Sequence, residues 1–299
     1  MIKAENLTKR FGKKEVLSSL NCVIEEGSIY GLVGANGAGK STFLRLLSGV
    51  YYPDTGFVEI NGQKVFDNSE VKMSICSVGD ELYFPAGATV GKIGGMYQAL
   101  YTSFDFNYYK EKCEMLKLPQ NSKLSTFSKG MKRQVSMLAA LSCKCAYMLF
   151  DETFDGLDPV VRNLMKKLIY DAVAERNATV VLTSHNLREL EDICDHLGIL
   201  YKGGILFQGD INNIKTSVCK VQMGFRDPPE KYEFDGVDIM NITRVGSVAT
   251  LIVRGDREDV YEKLMKYNPL ILDVLPLTLE EVFIYEMEVL GYAFNELNI

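Results

Sequence analysis

The sequence predicts an α/β fold, with a mixed sheet and a helical subdomain, followed by a small C-terminal α+β domain. An apolar segment at residues 29–33 is followed by a glycine-rich run and then by apolar residues at helical spacing. Two further apolar runs, at residues 147–150 and 178–183, flank a stretch with one apolar helical face. Strands that alternate with helices in this way indicate a parallel sheet. We place the α/β domain in residues 1–214 and the smaller domain in residues 215–299.

The glycine-rich run satisfies the spacing of a phosphate-binding loop, with Gly34 and Gly39 bracketing four residues ahead of Lys40 and Ser41. Glycines let the backbone approach a triphosphate, so that successive N–H groups and the helix N-terminus face its charge. Lys40 would reach the outer phosphates, and Ser41 would offer its hydroxyl to Mg²⁺. The residues that we expect to bind the nucleotide here are Gly34, Asn36, Gly37, Ala38, Gly39, Lys40, Ser41 and Thr42.

Composition and charge exclude several classes of protein. The chain of 299 residues is 47% hydrophobic, and no apolar run is long enough to span a membrane. The N-terminus lacks the basic patch and apolar stretch of a secretory signal. The seven scattered cysteines are typical of reduced core residues in a cytosolic protein. The net charge of −6 falls entirely in residues 215–299, which argues against nucleic acid as a partner.

The first hundred residues mix antiparallel strands with the phosphate-loop unit. Residues 2–7 and 16–24 alternate apolar and polar side chains, as half-buried strands do. Phe11 lies between them, and by pattern alone it is typical of peripheral packing. Asn61 and Gly62, between two short apolar runs, predict a tight hairpin.

Residues from about 80 to 140 predict the helical subdomain. Its first part, residues 80–117, is rich in helix formers and aromatic residues, most of which we assign to the core and some to a docking face for another protein. Ser128 is a plausible N-cap for the helix that follows, whose apolar residues recur at helical spacing.

Polar groups stand at the ends of the two later strands. Asp151 and Glu152 directly follow the run at residues 147–150. Two carboxylates at the end of a buried strand are costly unless they bind a cation or take part in proton transfer. After a phosphate loop, this position suits an aspartate that holds Mg²⁺ and a glutamate aimed at water. Asp158 caps the next helix, and His185 follows the run at residues 178–183, where α/β proteins gather functional groups.

The order of these motifs resembles the ATP-binding-cassette (ABC) ATPases over roughly residues 1–214. In this resemblance the phosphate loop is the Walker A motif, and Asp151 with Glu152 ends the Walker B motif. The D-loop ends at Asp158, and His185 is the switch histidine. Phe11 is similar to the aromatic residue that stacks on adenine, which replaces the packing interpretation. The signature motif is formed by Ser128, Lys129, Gly130 and Met131.

Two positions depart from the common family pattern. Lys129 and Met131 stand where Gly and Gln are commonest, a variant similar to that of many bacterial exporters. The Q-loop glutamine is missing after the predicted strand at residues 74–78, and Asp80 is the best stand-in. A carboxylate can meet Mg²⁺ or its water but cannot donate a hydrogen bond as an amide does. Asp80 is therefore a third candidate Mg²⁺ ligand beside Ser41 and Asp151.

The resemblance implies an ATPase that acts as a head-to-tail homodimer. Two ATP molecules with Mg²⁺ would each lie between the Walker A loop of one copy and Ser128 and Gly130 of the other. Glu152 would polarise the attacking water, and His185 would contact the γ-phosphate. The partner would be an integral membrane permease, which places the chain at the cytoplasmic face of the cell membrane. The expected function is to power a bacterial exporter, with an antimicrobial or amphipathic peptide as cargo.

Other interpretations stay open at the level of sequence. One alternative is a soluble ABC-type ATPase. Another is a nucleotide-dependent regulatory subunit with little turnover, which the missing Q-loop glutamine keeps open. In residues 215–299, Thr278 and Glu281 form a capping box before a last helix through Phe283, Met287 and Leu290. Core packing is the default for this helix, and self-association with a second copy is the sharper hypothesis.

Overall fold

The chain divides into two units, Met1–Gln208 and Gly209–Ile299. The structure, a computed structural model, describes residues 1–226 and 233–289. Leu290 and the side chain of Met287, which the sequence places in the last helix, lie outside what is described. In the described residues no helix has both the length and the apolar character needed to cross a bilayer.

The first unit contains ten strands, seven α-helices and one 3-10 helix, and the last strand runs two residues into the second unit. The strands are β1 Ile2–Phe11, β2 Lys14–Ile24, β3 Ile29–Val33, β4 Thr55–Ile60, β5 Gln63–Lys64, β6 Ile75–Val78, β7 Tyr147–Asp151, β8 Thr179–Ser184, β9 His196–Tyr201 and β10 Gly204–Asp210. The helices are α1 Lys40–Leu47, α2 Ser69–Met73, α3 Val90–Leu100, α4 Phe106–Met115, α5 Lys129–Ser142, α6 Pro159–Arg176 and α7 Leu187–Glu191.

A six-stranded sheet in the order β10-β9-β3-β8-β7-β6 forms the centre of this unit. Strands β6, β7, β8, β3 and β9 are parallel to one another, and every residue of β3, β7 and β8 is buried. Val33 pairs with Ser184, and Asp151 pairs with Thr183. Because parallel strands end at the same edge, the residues after β3, β7 and β8 meet there.

A second sheet of this unit has four strands in the order β2-β1-β4-β5 and is antiparallel. The hairpin predicted at Asn61 and Gly62 is confirmed, and both residues have the positive φ angles, 49° and 77°, that a type I′ turn requires. The sequence placed the end of the first strand at Leu7, and this was wrong. Strand β1 continues to Phe11 through shifts of register, and such irregular pairing breaks the period-two pattern used to predict strands.

The helical subdomain consists of α3, α4 and α5 with a short 3-10 helix at Leu124–Thr126. Each of its three α-helices begins at a side-chain cap, supplied by Thr89, Asp105 and Ser128. The predicted cap at Ser128 is therefore confirmed: its Oγ accepts a hydrogen bond from the amide of Met131 at 3.2 Å. A well-formed cap places the signature residues in the first turn of α5.

The described residues of the second unit form an α+β arrangement of α8 Ile211–Thr216, β11 Val218–Gly224, β12 Asp238–Val245, β13 Val248–Arg254, α9 Arg257–Met265, β14 Ile271–Pro276 and α10 Leu279–Val289. Its strands form an antiparallel sheet in the order β12-β13-β11-β14. The capping box predicted at Thr278 and Glu281 is confirmed, since the Glu281 amide donates to Thr278 Oγ1 at 3.2 Å and the Thr278 amide donates to the Glu281 carboxylate at 2.9 Å.

Candidate functional site

The phosphate-type loop connects β3 to α1 and depends on its glycines. Gly37 and Gly39 have φ angles of 83° and 113°, which residues other than glycine rarely adopt. A Cβ on Gly39 would lie 2.7 Å from Leu17 Cδ2, and one on Gly34 would lie 2.6 Å from the carbonyl oxygen of Leu200. The loop can therefore pack against its neighbours only with glycine at these positions. Gly39 leads directly into α1, whose N-terminal N–H groups favour an anion.

Lys40 is buried at the start of α1, with 6% of its surface exposed. Its Nζ donates a hydrogen bond to the carbonyl oxygen of Gly34 at 2.6 Å. The same nitrogen lies 3.1 Å from Glu152 Oε1, as an ion pair without hydrogen-bond geometry. Because the loop backbone holds this buried ammonium in place, its positive charge has a fixed position beside the phosphate-type loop.

Glu152 carries the carboxylate at the end of β7, and it has two charged or chargeable neighbours. Its Oε1 faces Lys40, and its Oε2 lies 2.9 Å from Nδ1 of His185. The backbone of Glu152 is in the left-handed region, with φ at 48°. Its amide donates to Thr183, to the carbonyl oxygen at 3.2 Å and to Oγ1 at 3.1 Å. The residue is therefore held at both its backbone and its side chain.

Asp151 is 5% exposed, and its Oδ1 accepts a hydrogen bond from Thr183 Oγ1 at 2.6 Å. Among the described residues, no lysine, arginine or histidine forms an ion pair with this carboxylate. A buried carboxylate without a cation is costly. Together with the hydroxyl of Ser41 it offers the hard oxygen ligands that suit Mg²⁺, so these residues fit that ion. A nearby set of Glu152, Asp155 and His185, with ligand atoms within 4.8 Å of one another, includes a nitrogen and suits Mg²⁺ less well.

A cavity of about 450 Å³ brings much of the predicted site together. Phe11 stands at its edge, 44% exposed, with its ring edge-to-face on Tyr51 at 5.4 Å between centroids. Of the predicted loop residues, Gly34 and Ala38 do not line it, and neither do Asp151 and His185. The lining consists of Phe11, Lys14, Val16, Asn36, Gly37, Gly39, Lys40, Ser41, Thr42, Asp80 and Glu152.

The signature residues do not line this cavity. Ser128 and Lys129 are exposed at the start of α5. A Cβ on Gly130 would lie 2.5 Å from the carbonyl oxygen of Gly156, so glycine permits the first turn of α5 to approach the loop after β7. Asp158, farther along this loop, caps α6 by accepting from the amides of Val160 and Val161. The signature and the D-loop thus lie side by side on the first unit, and none of their residues lines its cavity.

Asp80 lines the cavity, but a cation already holds its carboxylate. Arg133 Nη2 donates to Asp80 Oδ1 at 2.7 Å, and Lys129 Nζ lies 3.9 Å from the same oxygen. Arg133 and Thr183 are the residues that sequence reasoning missed. Thr183 lies within an apolar run, and Arg133 lies in a helix whose periodicity marks only apolar positions, so no local signal identified either of them.

Comparisons with known proteins agree with this geometry. Residues 17–155 match the family described as "ABC transporter". The ABC transporter ATP-binding protein YtrB of Bacillus subtilis is 30% identical over 95% of this chain and 97% of its own length. The bacitracin transport ATP-binding protein BcrA of Bacillus licheniformis is 33% identical over 72% of this chain and 71% of its own. A solved ATP-binding subunit of an ABC transporter superposes with a TM-score of 0.66 at 25% identity, over 72% of this chain and 92% of that one.

Proposed function

This chain belongs to the ABC transporter family of ATP-hydrolysing ATP-binding proteins, and from that premise we propose that it powers a bacterial membrane exporter as a head-to-tail homodimer. The observation that carries the proposal is the position of Glu152. Its carboxylate lies at one end of the cavity, against both Lys40 of the phosphate loop and His185 of the neighbouring strand end.

ATP would bind with its phosphates along residues 34–42 and its adenine on Phe11. The loop N–H groups and the N-terminus of α1 would receive the phosphates, and Lys40 would contact the outermost ones. Asp151 and Ser41 would hold Mg²⁺, which when bound neutralises charge on the β- and γ-phosphates. The ring of Phe11 supports the stacking role, because it is exposed and lines the cavity.

Glu152 would act as the general base. A γ-phosphate near Lys40 competes with Glu152 Oε1 for the same ammonium, so nucleotide binding would free that carboxylate oxygen to accept a proton from the attacking water. His185 would then steady the other carboxylate oxygen and contact the γ-phosphate. Fixing the groups in this way contributes to the rate through position as well as charge.

A second copy would complete the site. Ser128 and Gly130 lie at the capped N-terminus of α5, where N–H groups and the helix dipole can meet a γ-phosphate bound to another chain. The exposure of Ser128 and the absence of both residues from the cavity of their own chain support a contact across a dimer. ATP would then hold the two copies together, and hydrolysis would release them.

The membrane partner would be a permease, with the chain at the cytoplasmic face of the cell membrane. The aromatic residues of the helical subdomain would contact it, and Tyr83 is 88% exposed. An antimicrobial or amphipathic peptide is the proposed cargo, and a relative named for bacitracin transport supports it. The second unit would act as an accessory domain that promotes self-association.

The test is to measure ATP turnover with and without the integral membrane protein that co-purifies with the chain. An energy-coupling subunit hydrolyses ATP and changes its rate when that protein is added. An ATP turnover rate that does not change when any membrane protein is added would favour a soluble ABC-type ATPase. ATP binding with little turnover under both conditions would favour a regulatory subunit.

A further inference from the structure

We propose that Arg133 is a positioning residue for ATP hydrolysis, which ties the Asp80 loop to the backbone of Glu152. This inference rests on the proposed role of Glu152. Arg133 lies on α5, one turn after Lys129, and its side chain is fully buried. Its guanidinium contacts both Asp80 and Glu152, so one side chain joins α5, the Asp80 loop and the end of β7.

The hydrogen bonds of Arg133 divide between its two terminal nitrogens. Nη2 donates to two oxygens of Asp80, the backbone carbonyl oxygen at 2.8 Å and Oδ1 at 2.7 Å. Nη1 donates to the backbone carbonyl oxygen of Glu152. The planar guanidinium serves these three acceptors in fixed directions, which the single nitrogen of a lysine cannot do.

The carbonyl of Glu152 needs an anchor of this kind. Its residue has a φ of 48°, a conformation that non-glycine residues adopt only when their surroundings impose it. Thr183 holds the amide of Glu152 by accepting its hydrogen bonds. Arg133 holds the carbonyl oxygen of Glu152, which also accepts a hydrogen bond from the amide of Asp155 at 3.3 Å. The backbone sets the direction of the carboxylate, so movement of Arg133 would move the general base relative to Lys40.

Asp80 supplies the other end of the link. Its side chain is 45% exposed, whereas that of Arg133 is 0% exposed, so a contact made at the surface reaches a buried group. Asp80 also lines the cavity beside Lys40 and Glu152. The sequence made Asp80 a candidate Mg²⁺ ligand, and we infer instead that its carboxylate serves Arg133. Displacement of the Asp80 loop would then change the geometry at Glu152 through the guanidinium.

The test compares four variants of the full chain: Arg133→Lys, Arg133→Met, Asp80→Asn and Asp80→Ala. The measurements are the kcat of ATP hydrolysis, ATP affinity by equilibrium titration, the Mg²⁺ concentration for half-maximal activity, and the thermal midpoint. We expect both Arg133 variants and Asp80→Ala to lower kcat about 10- to 100-fold with ATP affinity unchanged, because misplacement of a reacting group costs rate. Asp80→Asn keeps an acceptor oxygen for Arg133 and should retain most of the activity.

A structural role alone would give a different pattern. In that case kcat, ATP affinity and the thermal midpoint would fall together, whereas a positioning role lowers kcat alone. A shared link predicts that the double variant of Arg133→Lys and Asp80→Ala is no slower than the worse single one. The matched control is Arg176→Lys, which removes a guanidinium that donates to the carbonyl oxygen of Leu141 at the far end of α5 and should leave kcat unchanged.

Two outcomes would overturn the inference while leaving the proposed function intact. One is normal kcat in the Arg133 variants, and the other is a higher Mg²⁺ requirement in Asp80→Ala, as loss of a metal ligand would cause. If the Arg133 variants do not fold, equal kcat for Asp80→Asn and Asp80→Ala overturns it. Failure of the proposed function is a separate result, in which the unaltered protein does not hydrolyse ATP.

Discussion

Lys40 Nζ and Glu152 Oε1 lie 3.1 Å apart, and the side chains are only 6% and 11% exposed. When one partner of such a buried ion pair is removed, the other charge is left buried without compensation, which is costly. The lysine belongs to the phosphate loop and the glutamate to the end of β7, so the residue proposed to bind phosphate and the residue proposed to activate water meet at this contact. The first two predictions separate these functions.

Glu152→Gln should retain ATP binding but lose turnover, by about 10² to 10⁴-fold, because the amide cannot accept the proton of the attacking water. ATP-bound dimers should accumulate, and size-exclusion chromatography with ATP would detect them. The control is Glu111→Gln, a substitution at a carboxylate that is 66% exposed. An active Glu152→Gln variant would contradict the assignment of the general base.

Lys40→Ala should weaken ATP binding about 10- to 100-fold, the cost of a lost hydrogen bond to a charged group. Isothermal titration with ATP measures the change directly. Lys110→Ala is the matched control, since its ammonium is 55% exposed and pairs only loosely with Glu114. Equal affinity of the two variants would count against the phosphate-loop assignment.

Gly130→Ala should destabilise the protein by about 1–3 kcal/mol, because a Cβ forced against backbone cannot be relieved by a side-chain rotation. The new carbon would lie 2.5 Å from the carbonyl oxygen of Gly156. Chemical unfolding measures the loss, and ATP-dependent dimerisation should weaken with it, because the signature turn would shift. Gly95→Ala, at a helical position with nothing within 4 Å, should instead stabilise by about 0.5–1 kcal/mol, and a similar gain at Gly130 would refute the close contact.

Stability should fall as the pH rises from 9 to 11, partly because of Cys22. Burial raises the pKa of this thiol from its ordinary value of 9.0 to about 11. Over this interval the unfolded chain loses the proton that the folded chain keeps, so unfolding becomes more favourable. The full contribution is present below pH 9, and about 2–3 kcal/mol of it is lost by pH 11, at about 1.4 kcal/mol for each pH unit.

Denaturant unfolding under reducing conditions at pH 8 to 10.5 would measure this dependence. Cys22→Ala should show a shallower decline with pH than the unaltered protein, whatever its stability at pH 8. Burial raises the pKa of the Tyr30 phenol and Cys22 raises it further, so Cys22→Ala also reduces the contribution of Tyr30. Identical slopes for the two would show that the Cys22 thiol does not carry the effect.

Much of the site could be predicted because its chemistry is local. The phosphate loop needs a strand, glycines at particular positions and a helix start, and all of these lie within residues 29–47. The caps at Ser128 and Asp158 and the hairpin at Asn61 depend on residues no more than three positions away. For such features a short segment contains the interacting groups, so the sequence predicts the geometry.

Other features could not be predicted, since each joins residues far apart in the chain. The sequence placed Asp80 near the nucleotide but gave no sign that Arg133 would occupy its carboxylate. Nor did it show that Gly130 permits contact with Gly156. The sheet order and the packing of α5 bring these groups together, and neither leaves a periodic pattern in the sequence.

The sequence by itself determined that this chain binds a nucleotide, because phosphate recognition requires a loop whose residues are consecutive. Only the tertiary structure decided how Glu152 is held. Its carboxylate meets Lys40 and His185, and its backbone carbonyl meets Arg133, through contacts between segments that the parallel sheet and the helical subdomain place side by side. Such positions depend on packing over the whole unit, which no single stretch of sequence contains.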